Sequence, residues 1–347
     1  PLQETKRDVV KYLNYGLLIF VALAFLGEWL HWSPVVVFFL AAIGVVPLAG
    51  FMGQATEELA LYTGPKLGGL LNATLGNAAE LIITIVAIRA GALDPARQEG
   101  LMQLVKASIT GSIIGNLLLI LGFSILLGGL RFGTQKFDRR QAGVNATMLI
   151  LAVIALAIPS LFSYSMEPAY HDSVEYLSIG VAVVMMLIYG LSILFSFRMS
   201  GSAVQQNAEH HEPGWSLRTA LLVLTGATVA IAFLSEVLVG AVEPVVAEIG
   251  ITEFFLGIIL IPLVGNVAEH VVAVQVALKN KMELSLAISL GSSLQVALFV
   301  APLLVFISLL FNNPLTLTFN NFELIALFAA VLISAFIAQD GESNWLE

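Results

Sequence analysis

Residues 76–80 read Gly-Asn-Ala-Ala-Glu, and residues 265–269 read Gly-Asn-Val-Ala-Glu, 189 positions later. Each copy lies inside a long apolar stretch, so each places a carboxylate, Glu80 or Glu269, near the middle of a predicted membrane-spanning helix. An ionisable side chain at that depth costs about 2.5–3.5 kcal/mol on the insertion scale and is a functional-site hypothesis by default. Two such carboxylates in the same local sequence predict one cation site that is shared between two related halves.

The composition is that of a polytopic membrane protein. Apolar residues make up 58% of the 347 residues and charged residues only 11%, with a mean hydropathy of +0.93, whereas a soluble domain carries about 25% charged residues. The sequence contains no cysteine, which excludes disulfides, thiolate metal sites and cysteine nucleophiles. An enzyme is not predicted, because neither a nucleophile–base pair nor a zinc-binding His-Glu-x-x-His pattern is present. No basic cluster indicates nucleic acid.

Ten apolar segments are long enough to cross about 30 Å of hydrocarbon as helices. No run of alternating polar and apolar residues of the barrel type is present, so the predicted fold is an all-α polytopic bundle. The predicted spans lie near residues 12–30, 35–62, 66–91, 101–128, 141–162, 174–197, 217–240, 252–278, 284–311 and 322–339.

The lysine and arginine residues set the predicted orientation. With the N-terminus in the cytoplasm, the inner loops hold twelve of the fifteen basic residues, and the outer loops hold only Arg89, Arg97 and Lys106. The positive-inside rule therefore predicts a cytoplasmic N-terminus. The span that carries Glu80 then runs outward and the span that carries Glu269 runs inward, as in transporters built from inverted repeats. The absence of transit features favours a prokaryotic plasma membrane.

This duplication predicts a leading helix followed by two inverted-topology repeats of five helices each. Only four helices of the second repeat are recognisable, so we expect that its last helix is missing from this sequence. The predicted domains are a leading segment and helix at 1–33, a first repeat at 34–197, a cytoplasmic linker at 198–216 and a second repeat at 217–347.

Within each copy of the motif, the asparagine and the glutamate are three residues apart and therefore share one face of a helix. The glycine at the head of each motif, Gly76 or Gly265, allows close backbone approach and local unwinding, and Pro262 favours a break in the second copy. Asn77 and Asn266 are therefore candidate ligands. Side-chain amides at this depth can instead hold helices together by hydrogen bonds.

The candidate ligand set consists of oxygen atoms, which hard cations prefer, and Ca²⁺ takes six to eight of them. Two carboxylates neutralise one divalent ion, and two like charges without that ion in a low dielectric favour proton binding. Gly111-Ser112 after the first motif is echoed by Gly291-Ser292 after the second. The supporting candidates on the neighbouring spans are Ser112, Ser292, Gln295 and Asn116, all of which are also common packing residues where helices cross.

Four further residues are candidates for proton transfer or gating. His270 directly follows the second motif, and histidine titrates near neutral pH. Glu57 and Glu58 lie near the predicted inner end of their span, and Glu236 lies near the predicted outer end of its own. The alternatives are a structural role inside the bundle for the histidine and an interfacial role for the three glutamates.

The two motifs resemble the signature repeats of the calcium/proton exchanger (CAX) family, within the cation/Ca²⁺ exchanger superfamily. The runs at 68–74 and 291–295 are also similar to that family, and the resemblance covers nearly the whole sequence. The resemblance implies an eleven-helix fold with one leading helix and two inverted five-helix repeats. It also implies that the two motif glutamates bind Ca²⁺ and exchange it for H⁺, with the motif asparagines in support.

The predicted function is secondary antiport of Ca²⁺ against H⁺, with Ca²⁺ as a transported substrate and no cofactor. The alternative on the same fold is Na⁺-driven Ca²⁺ exchange, which generally needs more oxygen ligands at the midplane than two deep carboxylates provide. A cation channel is disfavoured because a pore needs a continuous path or a ring of ligands. The expected partners are the lipid bilayer, Ca²⁺ and H⁺, and a homo-oligomer is compatible with the sequence.

Overall fold

The structure is a computed structural model that describes residues 2–165, 171–203 and 213–347. Helices form nearly all of its regular structure. They are α1 (Leu2–Trp29), α2 (Pro34–Leu75), α3 (Ala78–Leu93), α4 (Gln98–Phe132), α5 (Arg139–Ser165), α6 (His171–Ala203), α7 (Leu217–Gly240), α8 (Val242–Ile249), α9 (Glu253–Gly265), α10 (Val267–Ala277), α11 (Met282–Leu310) and α12 (Asn321–Ile337). Two short strands, β1 (Gln135–Lys136) and β2 (Glu342–Ser343), pair antiparallel.

The prediction of an all-α bundle of apolar helices is confirmed. Six of the described helices are each long and apolar enough to cross a membrane, namely α2 as far as Gly64, α4, α5, α6, α7 and α11. The spans predicted at 66–91 and 252–278 are not in this set, because each of them is interrupted at its motif. The described apolar parts of α1 and α12 are shorter, at Tyr15–Trp29 and Asn321–Ile337.

Three local features differ from the sequence prediction. The loop expected before the third span is only a kink at Gly64, where φ is 81° and ψ is 169°, so α2 continues to Leu75. The short helix α8 was not predicted, and it meets α9 at 114°. Lys106 does not lie in an outer loop but within α4, where its side chain is partly buried. The predicted linker at 198–216 includes residues 204–212, which lie outside the described residues.

The predicted unwinding at the two motifs is confirmed. Gly76 and Asn77 form a turn between α2 and α3, and Asn266 separates α9 from α10. Both asparagines leave helical geometry in a similar way, with φ −98° and ψ 17° at Asn77 and φ −111° and ψ 9° at Asn266. Each motif glutamate is therefore placed in the first turn of a new helix, α3 or α10, directly after the break.

The helices that carry and adjoin the motifs pack on one another. Helix α3 packs on α4 and α7, α4 packs on α9, and α10 packs on α11 and on the second half of α4. Helices α1 and α7 pack on α2, while α5, α6 and α12 pack around α11 and α4. The two broken helices therefore face each other across the interior of the bundle.

Two glycines allow α4 and α9 to cross closely. A Cβ atom added to Gly257 of α9 would collide with the carbonyl oxygen of Leu104 and lie 2.8 Å from the Cβ of Ala107. A Cβ atom added to Gly111 of α4 would collide with the carbonyl oxygen of Ile258. This crossing brings the α4 backbone against the helix that leads into the second motif.

Candidate functional site

The first motif glutamate is enclosed by hydrogen-bond donors. Glu80 is 1% exposed, and its Oε1 atom accepts from the hydroxyls of Ser108 and Ser112 at 2.7 and 2.6 Å. Its Oε2 atom accepts from the Nδ2 atom of Asn266 at 3.1 Å. Both carboxylate oxygens are therefore satisfied, as the high cost of an unpaired buried charge requires.

The second motif packs directly on the first. A Cβ atom added to Gly265 would lie 3.2 Å from the Cβ of Glu80, so the absence of a side chain at Gly265 lets the two backbones approach. The Nδ2 atom of Asn266 also lies 3.2 Å from the hydroxyl oxygen of Ser112. The side chains of α3, α4 and the α9–α10 break therefore form one continuous polar cluster.

The second motif glutamate is bonded differently. Glu269 is less buried than Glu80, and the hydroxyl of Ser292 lies next to its carboxylate. Its Oε2 atom is buried and has no hydrogen-bond partner among the described residues, and the same holds for the Oδ1 atom of Asn266. Glu80 and Glu269 lie close enough for their negative charges to interact across the cluster. These two unpaired oxygens, one from the Glu269 carboxylate and one from the Asn266 amide, are ligands of the kind that a hard cation binds.

A chain of hydrogen bonds extends the cluster across the interior. The Nε2 atom of His270 lies 3.0 Å from Oδ1 of Asn116, and Nδ2 of Asn116 donates to the Ser292 hydroxyl at 3.1 Å. The Ser292 hydroxyl in turn donates to Oδ1 of Asn77 at 3.5 Å, and Nδ2 of Asn77 donates to Oε1 of Gln295 at 3.0 Å. The amide oxygen of Asn116 accepts a hydrogen bond from His270 when the imidazole carries a proton on Nε2.

The structure therefore brings together most of the residues that the sequence predicted for the site. They form two neighbouring hydrogen-bonded groups, one of Glu80, Ser112 and Asn266 and one of Glu269, Ser292, Asn77, Asn116, His270 and Gln295.

Three predicted gating residues lie outside the cluster. Glu236 at the end of α7 pairs with Arg89 of α3 at 2.9 Å, and both side chains are about half exposed. The Oε2 atom of Glu58 accepts from the backbone N–H of Trp215 at 3.1 Å. Glu57 is exposed near the Gly64 kink of α2. These positions are compatible with roles at the two ends of an ion or proton path through the bundle, but not with direct contact with the clustered carboxylates.

The sequence analysis missed Ser108, although this residue donates to Glu80 as directly as Ser112 does. The duplication gave no signal, because the position 180 residues after Ser108 is Ile288 rather than a serine. The available signal was helical spacing, since Ser108 and Ser112 are four residues apart and share one face of α4. Ser289 lies one turn before Ser292 in α11, and its buried hydroxyl has no hydrogen-bond partner in the part of the chain that the structure describes.

Helices α4 and α11 share a backbone irregularity beside the site. A π-helical turn covers Gly115–Ile120 in α4 and Val296–Val300 in α11. In each helix this turn begins shortly after the paired glycine and serine that echo each other in the sequence. Such turns occur often at functional sites, because they re-aim side chains and leave carbonyl groups less tightly bonded.

The described residues contain no group of three or more acidic, histidine or cysteine side chains placed to hold a metal ion. A cation in this cluster would instead be held by two carboxylates together with amide, hydroxyl and carbonyl oxygens. That donor set suits a hard cation such as Ca²⁺ and offers no thiolate or imidazole set for a softer metal.

Comparison with known proteins gives a consistent result. The sodium/calcium exchanger protein family model matches residues 33–198 and 219–347. A Ca²⁺/H⁺ antiporter of Aphanothece halophytica is 45% identical, with 96% of this chain and 91% of that protein covered. The Ca²⁺/H⁺ antiporter ChaA of Bacillus subtilis is 42% identical, with 94% and 92% covered. The solved structure of the Ca²⁺/H⁺ antiporter YfkE has a TM-score of 0.81 at 39% identity and covers 97% of this chain and 94% of its own.

Proposed function

The chain belongs to the sodium/calcium exchanger protein family, and from this premise we propose that it exchanges Ca²⁺ for H⁺ across a membrane. The names of the relatives at 42–45% identity support this substrate pair. The observation that carries the proposal is the pairing of two buried motif carboxylates in one cluster, one fully bonded and one with an unpaired oxygen.

This pairing suggests how Ca²⁺ and protons would compete. Ca²⁺ would bind through Glu269 and Asn266, whose unpaired oxygens are available, and would draw Glu80 from its three donors to complete the charge balance. When the ion leaves, two carboxylates remain close together in a low dielectric, where keeping both ionised is costly. Protons would then replace the ion on the same oxygens, so that either Ca²⁺ or H⁺ occupies the site. Asn77, Ser112, Ser292, Gln295 and Asn116 would support the ligands.

We further propose that residues 34–197 and 217–347 are inverted repeats around this site, with residues 1–33 as a leading segment. The shared break at the two motifs, the paired Gly-Ser sequences and the π-helical turns of α4 and α11 support this division. Alternating access would follow if the two repeats moved relative to each other around the fixed midplane ligands.

The packing of the glycines that precede the two motifs supports a conformation in which access to the site is closed at one end of the bundle only. Gly257 lies eight residues before Gly265 and packs against the α4 backbone, whereas Gly68 lies eight residues before Gly76 and packs against Ala60 of its own helix. In the α11 helix, a Cβ atom added to Gly291 would meet no atom of another described element within 4 Å. With the orientation expected from the basic residues, the closed end would face outward and the open end would face the cytoplasm.

Purified protein in proteoliposomes provides the test. A pH step across the membrane should drive uptake of radiolabelled Ca²⁺, and uptake should saturate with Ca²⁺ and continue without Na⁺. Uptake that requires a Na⁺ gradient would instead support Na⁺-driven exchange. Flux that does not saturate and does not move protons would support a channel. Either result would overturn the proposal.

A further inference from the structure

The segment between α11 and α12 begins with a turn and continues as an extended chain in which every second residue is buried. This segment, residues 311–320, is called the buried strap below. Its backbone N–H groups at Leu315, Leu317 and Phe319 donate to serine hydroxyls at 2.8, 3.1 and 2.8 Å. The accepting serines are Ser308 of α11, Ser178 of α6 and Ser160 of α5. The strap is therefore a fixed part of the bundle that joins several helices at one end.

Lys106 of α4 binds this strap from the other side. Its Nζ atom donates to the hydroxyls of Thr316 and Thr318 at 3.1 and 2.7 Å. These two threonines alternate along the strap with the three apolar residues that point into the core, so their hydroxyls face α4. A single ammonium group thus holds α4 against the strap.

Glu323 completes this contact. Glu323 is 4% exposed in the first turn of α12, and its Oε1 atom accepts from the hydroxyl of Thr110 at 2.7 Å. Its Oε2 atom accepts from the backbone N–H of Asn320 at 2.8 Å, which caps α12. The charges of Lys106 and Glu323 attract each other. Lys106 and Thr110 are one turn apart, so one face of α4 is pinned to both the strap and α12.

The opposite face of the same turns of α4 carries the donors to Glu80. Ser108 is two residues from both Lys106 and Thr110, which places it about 200° around the helix from them. The hydroxyls of Ser108 and Ser112 must stay within hydrogen-bond distance of Glu80 Oε1, and such bonds weaken steeply with misalignment. A small rotation of α4 would therefore move both donors away from the carboxylate.

We infer that Lys106 is a positioning residue for the ion site, because it holds α4 in the rotation that aims Ser108 and Ser112 at Glu80. This inference rests on the proposed function of Glu80 as an ion and proton ligand. Stability alone does not explain this contact, since placing charged side chains in the interior costs desolvation that apolar packing would avoid. The duplicated sequence does not repeat this lysine, since the position 180 residues after Lys106 is Leu286.

The test measures the apparent KM for Ca²⁺ in proteoliposomes for four proteins that form a double-mutant cycle. They are the native protein, Lys106→Met, Ser108→Ala and the combination of the two. We expect Lys106→Met to raise KM about 10-fold, as loss of a ligand-orienting partner commonly does. In the Ser108→Ala background, adding Lys106→Met should raise KM by less than half of that factor, because the serine donor that Lys106 positions is already absent. Lys136→Met, which removes an exposed lysine side chain at the bundle surface, is the matched control and should leave KM unchanged.

Two further variants keep the test decisive. Lys106→Met combined with Glu323→Gln leaves no buried charge unpaired, and KM should remain raised because the threonine contacts are still lost. If Lys106→Met does not fold, Thr318→Val takes its place in the double-mutant cycle, because it removes one of the two threonine contacts of Lys106.

Three outcomes would overturn the inference. The first is an unchanged KM in Lys106→Met, and the second is a native KM in Lys106→Met combined with Glu323→Gln. The third is an increase in KM on adding Lys106→Met that is as large in the Ser108→Ala background as in the native protein. Transport that survives Glu80→Gln would instead overturn the proposed function, so the two failures are distinguishable.

Discussion

The two motif glutamates differ in their hydrogen bonding although their local sequences are nearly identical. Glu80 accepts three hydrogen bonds, whereas Glu269 keeps one buried oxygen without a partner among the described residues. In this state Glu269 is the more available ligand, and Glu80 is held by Ser108, Ser112 and Asn266. The exchange of partners at Glu80 is therefore expected to be part of each transport cycle.

Ser112→Ala tests the role of these donors. Loss of the hydroxyl should raise the apparent KM for Ca²⁺ about 10-fold, because a carboxylate ligand that loses its orienting partner binds the ion less well. The measurement is the Ca²⁺ dependence of proton-driven uptake. Ser235→Ala is the matched control, since Ser235 is also buried and, among the described residues, its hydroxyl bonds to the carbonyl oxygen of Ile231 within its own helix. An equal change in both variants would contradict this role.

At the residue scale, the sequence was informative where a residue type was repeated and uninformative where the site is asymmetric. The duplicated motif pointed to Glu80, Glu269 and the two asparagines, and the Gly-Ser echo pointed to Ser112. Ser108, Lys106 and Glu323 have no repeated counterpart, so only the packing of α4 against α3, α12 and the buried strap shows their contacts. The partner of each amide also depends on tertiary structure, as the bond from Asn77 to Gln295 illustrates.

At the scale of the helices, the crossing of α4 and α9 depends on the lack of side chains at Gly111 and Gly257. Either glycine, if replaced, would force backbone atoms of the partner helix to move. The crossing lies next to the α4 serines that bind Glu80. It therefore determines both how well the bundle packs and how accurately the site is formed.

Gly257→Ala should lower stability by about 1–3 kcal/mol, which is typical of overpacking in a well-packed interior. The measurement is the thermal unfolding temperature of purified protein in detergent. Gly291→Ala is the matched control, because a Cβ atom at Gly291 would meet no atom of another helix within 4 Å among the described residues. A similar loss of stability in both variants would argue against the α4–α9 crossing described above.

The hydropathy of the sequence predicted where the helices lie, but it did not predict where they are interrupted. All ten predicted apolar segments fall on helices, because a run of apolar residues in a membrane can satisfy its backbone groups only as a helix or a closed barrel. The breaks at Asn77 and Asn266 followed from glycine and asparagine in a helix interior. The kink at Gly64, the short helix α8 and the buried strap could not be predicted, since local sequence does not show which serines satisfy their backbone groups.

At the scale of the whole molecule, the orientation remains a prediction from the basic residues. The absence of cysteine makes this prediction simple to check, because single cysteines can be introduced without a background signal. A cysteine at Lys279 should react with a membrane-impermeant maleimide only from the cytoplasmic side. A cysteine at Asp94 should react only from the outside. The reverse pattern would show that the chain is inserted with the opposite topology.

The competition between protons and Ca²⁺ predicts a definite sign of pH dependence. Acidification on the side where Ca²⁺ binds should raise the apparent KM for Ca²⁺, because protonated carboxyl groups no longer attract the ion. Alkalinisation on that side should lower the KM until the carboxylates are fully ionised. Initial rates of Ca²⁺ uptake at several external pH values, with the internal pH held constant, provide the measurement. A KM that is independent of pH would contradict a shared site.

The most direct test of the central claim is proton-coupled Ca²⁺ transport by Glu80→Gln and Glu269→Gln, which keep the shape of each side chain and remove its charge. Both should reduce uptake driven by a pH gradient at least about 100-fold, since each removes one of the two carboxylates that carry either Ca²⁺ or protons. Glu99→Gln, at an exposed position in the first turn of α4, is the control and should transport normally. Native transport in either motif variant would contradict the claim that the two glutamates form the shared site.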